Sequence, residues 1–276
     1  MIAMAADHYD IETLADLYNR ARVDYIVPMP MNGRRLADYV LHYDVDLTMS
    51  AVALNDDNEE CGLIMTGVRD PRSWATRLGV IPERRGHHIG QFLMEYLLAQ
   101  SRDHDLRYAQ LEVIKGNSPA IALFTKLGFT PTRELLVIRR APGKLVPRSE
   151  FDSATVSAIA PQDIPGVLAC RAADAAWTEE TSSLLKAGSL NGLQIELPSG
   201  EAGWIVFQVL PFQLTHFVLS PYASDGLIRA LLYHVHRRFA LQDTKVENLP
   251  LGPAWTAFQS LGYVEAFRRI EMILPL

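Results

Sequence analysis

The sequence predicts two tandem copies of one mixed α/β unit. Three observations carry this. The apolar period switches from helical to alternating and back in the same order in both halves. A stretch rich in Pro, Gly and Ser separates the halves, and two short segments match across them residue by residue.

In the first half, "DIETLADLYNRAR" (10–22) places Ile11, Leu14, Leu17 and Tyr18 on one helical face, with Asp10 as N-cap. A second helix fits 32–43. "LTMSAVAL" and "CGLIMTGVR" are strands joined by the polar loop "NDDNEE", and "SWATRLGVIP" is a third strand stopped by Pro82. The period then turns helical, with Ile89, Phe92, Leu93, Tyr96 and Leu97 as the stripe. "YAQLEVIKG" reads as a strand, "SPAIALFTKLG" as a helix ended by Gly128, and "LLVIRR" as a strand.

The domains expected are 1–142 and 155–276, with residues 143–154 as a linker lacking apolar periodicity. The second half repeats two helices, three strands, a helix ("DGLIRALLYHVHRRFA"), a strand, a helix and a strand. "TRLGVIP" matches "THFVLSP" and "LFTKLGF" matches "AFQSLGY".

Composition bounds the function. With 49% hydrophobic and 21% charged residues the chain is globular, and a formal charge of −6 offers no general attraction to nucleic acid or an anionic membrane. Cys61 and Cys170 stand alone, without ligand spacing. Acids early in "MIAMAADHYDIETL" argue against a signal peptide, and no run nears the ~20 apolar residues of a membrane span, so a cytoplasmic protein is expected.

The stretch "VIPERRGHHIGQFL" (80–93) raises the chemical question. A metal site fails on geometry, because adjacent histidines point apart and no acid or Cys stands at ligand spacing. No metal is expected. A phosphate cradle fits better: the chain turns sharply from a strand into a helix near Ile89, glycines let amides converge, and the helix N-terminus favours an anion. Arg84 and Arg85 add charge. An ordinary strand-to-helix loop with solvated arginines is the alternative, since short glycine patterns are weak signals.

Downstream residues add a second motif. Val80 and Pro82 lead into Arg85-Gly86-His87-His88-Ile89-Gly90, and after a further strand come Asn117, Ala120, Leu123, Phe124, Lys126, Gly128 and Phe129. In this the chain resembles the GNAT acyltransferase superfamily, closely over residues 1 to about 140 and beyond that by element order and the "AFQSLGY" end. The resemblance implies an α/β (α+β) fold of two tandem GNAT-like domains, each a mixed, mostly antiparallel sheet flanked by helices. It implies an acetyl-CoA-dependent N-acetyltransferase in the N-terminal domain, acting on an amine of a small-molecule acceptor. Amides from Arg85 through Gly86, His87, His88, Ile89 and Gly90 to Gln91 would hold the pyrophosphate. Gly79 and Val80 would pair with the pantetheine arm, and Asn117 would contact it.

Two positions depart from the family pattern. His88 stands at a usual glycine, where its amide remains, and Phe124 replaces a tyrosine that commonly protonates the leaving thiolate. General acid help is commonly worth ~10²–10⁴-fold. Phe124 and a strand without a carboxylate keep open a non-catalytic CoA- or acyl-CoA-binding regulatory or sensory module. Glu112, on the strand lining the expected cleft, and Asp70, at a strand end, are the candidate bases.

The second copy lacks the cradle. After Pro221 it reads "YASDGLIRALL", with Asp225 near the expected phosphates, so a degenerate domain without cofactor is expected. His216 stands opposite Arg77 in the repeat, and Asn248 and Trp255 read as packing residues. Between the first two helices, "VDYIVPMPMNG" offers Tyr25, Met29 and Met31 as an apolar acceptor-binding loop, or as an interface with the other domain or a second chain. A monomer or a homodimer fits equally.

Overall fold

The computed structural model describes all 276 residues. They form two compact units: Met1–Thr132 with Ile270–Leu276, and Arg133–Arg269. No helix is long and apolar enough to cross a membrane.

The first unit runs β1 (Ile2–Ala5), α1 (Ile11–Ala21), α2 (Gly33–His42), β2 (Val45–Leu54), β3 (Glu60–Arg69), β4 (Arg72–Val80), α3 (Ile89–Asp103), β5 (Tyr108–Ile114) and α4 (Ser118–Lys126), and then enters β6 (Thr130–Arg140). Strands β1 to β4 pair antiparallel in chain order, and β5 joins β4 in parallel after the α3 crossover. Caps act where the composition places them. Asp10 accepts from the Thr13 amide at 2.7 Å and Asn32 from the Arg35 amide at 2.9 Å.

The α3 stripe differs from expectation. Ile89, Leu93, Met94, Leu97 and Leu98 are buried, whereas Phe92 and Tyr96 are half-buried. The helix is covered along the 93/97 and 94/98 rows, a face rotated from the one the periodicity selects. Leu93 and Leu97 pack with Ile64, Leu111, Phe124 and Phe129, and with Met272 from the end of the chain.

The second unit contains the rest of β6, then α5 (Ser149–Asp152), β7 (Thr155–Ile159), α6 (Ile164–Ala169), α7 (Thr181–Ala187), β8 (Leu190–Glu196), β9 (Ala202–Val209), β10 (Gln213–Leu219), α8 (Asp225–Arg238), β11 (Asp243–Pro250), α9 (Ala254–Ser260) and the first part of β12 (Val264–Pro275). Strands β7 to β10 pair antiparallel, β11 joins β10 in parallel, and β6 joins β11 antiparallel. Each unit is therefore a mixed, mostly antiparallel sheet with helices, as the family resemblance implies.

The units do not divide where the composition suggests. Residues 143–154 are built into the second unit: the Gly143 amide donates to Ala240 O, the Arg148 amide donates to Tyr233 Oη, and Phe151 is buried in the core. The boundary instead falls within β6 and β12, and residues 270–276 belong to the first unit. There the Leu276 amide donates to Arg107 O, and the Thr130 and Thr132 hydroxyls donate to the carbonyls of Ile273 and Glu271. Short β1 and β7 also escape the periodicity reading, because four and five residues carry too little alternation.

Candidate functional site

A bulge in β4 opens the first unit. Leu63 pairs with Gly79 and Met65 with Thr76, so β4 spends one more residue than β3 over this step, and Arg77 takes the left-handed φ of 54°. The parallel pairing of β4 with β5 stops at Ala75 and Leu111. Beyond it lie Thr76 to Val80 on one strand and Glu112 to Ile114 on the other.

At the end of β4 the chain makes a short 3₁₀ turn, Pro82–Arg84, and enters α3 through Gly86 (φ 84°) and His88 (φ 60°). Gly86 takes that conformation without a Cβ penalty, whereas His88 carries one as the helix N-cap. No side chain caps α3. The Arg85 amide donates to Pro82 O and the Phe92 amide to His88 O, while the amides from Gly86 to Gln91 have no protein acceptor. They are orphan donors at a helix N-terminus, the chemistry that binds anions. Beside them is a cavity of about 350 Å³ lined by Val80, Gly86, Gly90, Gln91, Leu123 and Lys126, among others. Lys126, legible in the sequence only as part of the second motif, adds the cation and donates to Gln91 Oε1 at 2.9 Å.

The arginines do different work from that expected of them. Arg85 makes a bidentate pair with Asp24 at 2.6 and 2.7 Å and also donates to Val80 O and Ala21 O. Its hydrogen bonds hold the Asp24 carboxyl below the usual carboxylate range. Arg84 pairs with Glu59. Both charges are already countered, so Arg85 braces the loop against the end of α1. His87 is exposed on the same loop.

Of the two candidate carboxylates, only Glu112 lies beside the opening. Trp74 Nε1 donates to Glu112 Oε2 at 2.6 Å. Buried Tyr39 shares a 2.6 Å hydrogen bond with Thr76, and the Arg77 guanidinium lies 4.1 Å from the Tyr39 ring centre while donating to Tyr18 Oη. Burial, the largest influence, raises the Tyr39 phenol pKa. Asp70 sits in the turn between β3 and β4, at the far end of β4 from the cradle, a separation of roughly 25 Å at ~3.3 Å per residue. It has no place in this site. Tyr39 and Trp74 left no local signal, since both meet the site through contacts distant in sequence.

Other expected residues also have structural duties. Asn117 Oδ1 caps α4 by accepting from the Ala120 amide. Phe124 is buried edge-on to Phe129, 6.1 Å between centroids, and does not line the loop cavity. In the acceptor loop, Arg22 stacks 3.4 Å from the centre of the Tyr25 ring and donates to Leu78 O on β4. Arg22, which carries Tyr25 on its guanidinium, also lies against Gly79. The Met31 amide and carbonyl both bond the Asn19 side chain, and Met29 is half-buried.

Residues 12–129 match the sequence profile described as the Acetyltransferase (GNAT) family. This segment is a GNAT domain. Solved structures similar to the whole chain include the GCN5-related N-acetyltransferase of Sphaerobacter thermophilus, with 17% identity and a TM-score of 0.75, covering 99% of this chain and 95% of that one. A tandem GNAT protein of the clavulanic acid biosynthesis pathway shares 15% identity at a TM-score of 0.64, covering 99% and 97%. A GCN5-related N-acetyltransferase from Anabaena variabilis shares 12% at 0.60, covering 99% and 72%. Likeness at these identities shows the fold, and the chain has the tandem GNAT fold over its length. No curated protein matches the sequence.

The second unit repeats the bulge of β4 but not the loop that follows it. β10 bulges at His216, with φ 56°, and its pairing with β11 ends at Leu214 and Thr244. Yet α8 is closed at its N-terminus. Ser224 caps it by accepting from the Leu227 amide, the Ser224 amide and hydroxyl donate to Glu201, and Asp225 stands in the first turn paired with Arg229.

Proposed function

We propose that the chain transfers an acetyl group from acetyl-CoA, bound at the first unit, to an amine of a small acceptor. One contrast carries this reading: the amides Gly86 to Gln91 open onto a cavity, whereas the matching helix start of the second unit is capped and acidic. These amides and Lys126 suit a pyrophosphate. The fold itself does not require glycine at position 90, since a Cβ there meets only Leu123 and Val80 at 3.5 and 3.8 Å, so the lack of a side chain serves the space beside the amides.

In the reaction, the acceptor nitrogen attacks the thioester carbonyl, the C–S bond breaks, and the nitrogen loses a proton. Glu112 is the proton acceptor within reach of the opened strands, and Trp74 fixes its orientation. Phe124 has no proton for the thiolate, so that proton comes from solvent. Tyr25, Met29 and Met31 border the acceptor side. The test is a panel of small amines with acetyl-CoA, read by free-thiol release and by mass of the product. Turnover with at least one amine is expected. CoA binding without turnover across the panel supports instead a CoA-binding regulatory module, the reading that buried Phe124 favours.

A further inference from the structure

The second unit holds a cavity of about 360 Å³ where β10 and β11 diverge. Its walls include Phe217, Val218 and Leu219 of β10, Val246 of β11 and Ile228 of α8. They are mostly apolar, and the volume lies within the range of small-ligand sites.

The charges on the wall are unequal in their partners. Four carboxylates border the cavity and each faces a cation. Asp174 has Arg133, Glu179 has His216 at 3.0 Å, Asp225 has Arg229, and Glu247 has both Lys245 and Arg269. Arg171 is the exception. Its Nη1 donates to the backbone carbonyl of Glu179 and its buried Nε has no acceptor, while the charges of Glu179, Asp174 and Glu180 act on it without a direct ion pair. A desolvated guanidinium of this kind favours a charged hydrogen-bonding partner, and its planar fork suits a carboxylate.

We propose that this cavity is a binding site for a small monocarboxylate with an apolar body, its carboxylate on Arg171 and its tail among Phe217, Ile228 and Val246. It is not a second CoA site, because Ser224 already occupies the helix start and Asp225 repels a pyrophosphate. The inference stands apart from acetyl transfer in the first unit.

The test uses the full chain and three probes of one length, hexanoate, hexanamide and hexylamine, followed by calorimetry and ligand-observed NMR. Hexanoate is expected to bind at least tenfold more tightly than the amide or the amine. Arg171→Gln should weaken hexanoate at least tenfold, Arg171→Lys should keep part of the affinity, and Ala254→Phe should block the cavity. Saturating CoA should leave hexanoate binding unchanged. Absence of saturable hexanoate binding, equal affinity for hexanamide, or competition by CoA overturns the proposal. Should Arg171→Gln fail to fold by circular dichroism, the probe comparison on the wild-type chain and Ala254→Phe decide it.

Discussion

Trp74 and Glu112 are joined by a 2.6 Å hydrogen bond at the point where their strands cease to pair, Glu112 being the residue after Leu111, the last β5 partner of β4. The indole fixes this carboxylate beside the opening. Replacing Glu112 by Gln keeps an oxygen for Trp74 but removes the base. We expect kcat to fall by ~10²–10⁴-fold with little change in CoA affinity. Steady-state kinetics with a responsive amine checks this, and an unchanged kcat removes Glu112 from the proton transfer.

Arg85 and Asp24 act as one brace, so their losses should overlap. Arg85→Ala and Asp24→Ala are each expected to weaken CoA binding by loosening the loop, and the double variant should be little worse than either single one. A direct phosphate contact by Arg85 would instead leave Asp24→Ala nearly silent. Calorimetric affinities for the four proteins separate the two.

The acceptor loop is tied to α1 through the Met31 backbone, which serine retains. Changing Met29 and Met31 together to serine should therefore raise the acceptor KM several-fold while the melting temperature and CoA affinity hold. A fall in melting temperature with unaltered KM would assign these side chains to packing.

His236 is fully buried against Tyr263, at 2.8 Å, and burial lowers its pKa from 6.5 to about 3. The neutral ring is the folded form, so its contribution is complete above pH ~6.5 and is lost as pH falls toward 3. The slope is about 1.4 kcal/mol per pH unit between these values. His216 runs the other way: burial, the largest single influence, lowers its pKa, but the Glu179 charge and hydrogen bond and the Glu247 charge together raise it above the usual value. Its contribution is fully present below pH ~6.5 and is lost as pH rises through the raised folded-state pKa. Chemical denaturation of wild type and His236→Phe from pH 7 to 4 isolates the first effect. The wild type should lose more stability on acidification than the variant, and parallel curves would contradict a buried neutral His236.

Local chemistry was legible. The glycines around His87 and His88 marked the turn into α3, and "ASDG" marked the closed start of α8, because caps and turns depend on a few adjacent residues. Pairings distant in sequence left no such mark. Nothing near residue 270 announces that the last strand completes the first unit, and nothing in "RSWATRL" announces that Trp74 meets Glu112. Arg85 was legible as a charge but not as a charge already held by Asp24. Asp70 lies at the wrong end because a sequence shows where a strand stops but not which end faces the cradle.

The central claim is that one CoA binds, at the amides that open α3. Because β6 and β12 each supply residues to both units, the intact chain is the protein to measure. Calorimetric titration of acetyl-CoA into the wild type and Gly90→Glu is the most direct test. One site per chain in the wild type, and none in a Gly90→Glu variant of unchanged circular dichroism, is the expected result. Two sites per chain, or an unaltered affinity in Gly90→Glu, would contradict the account.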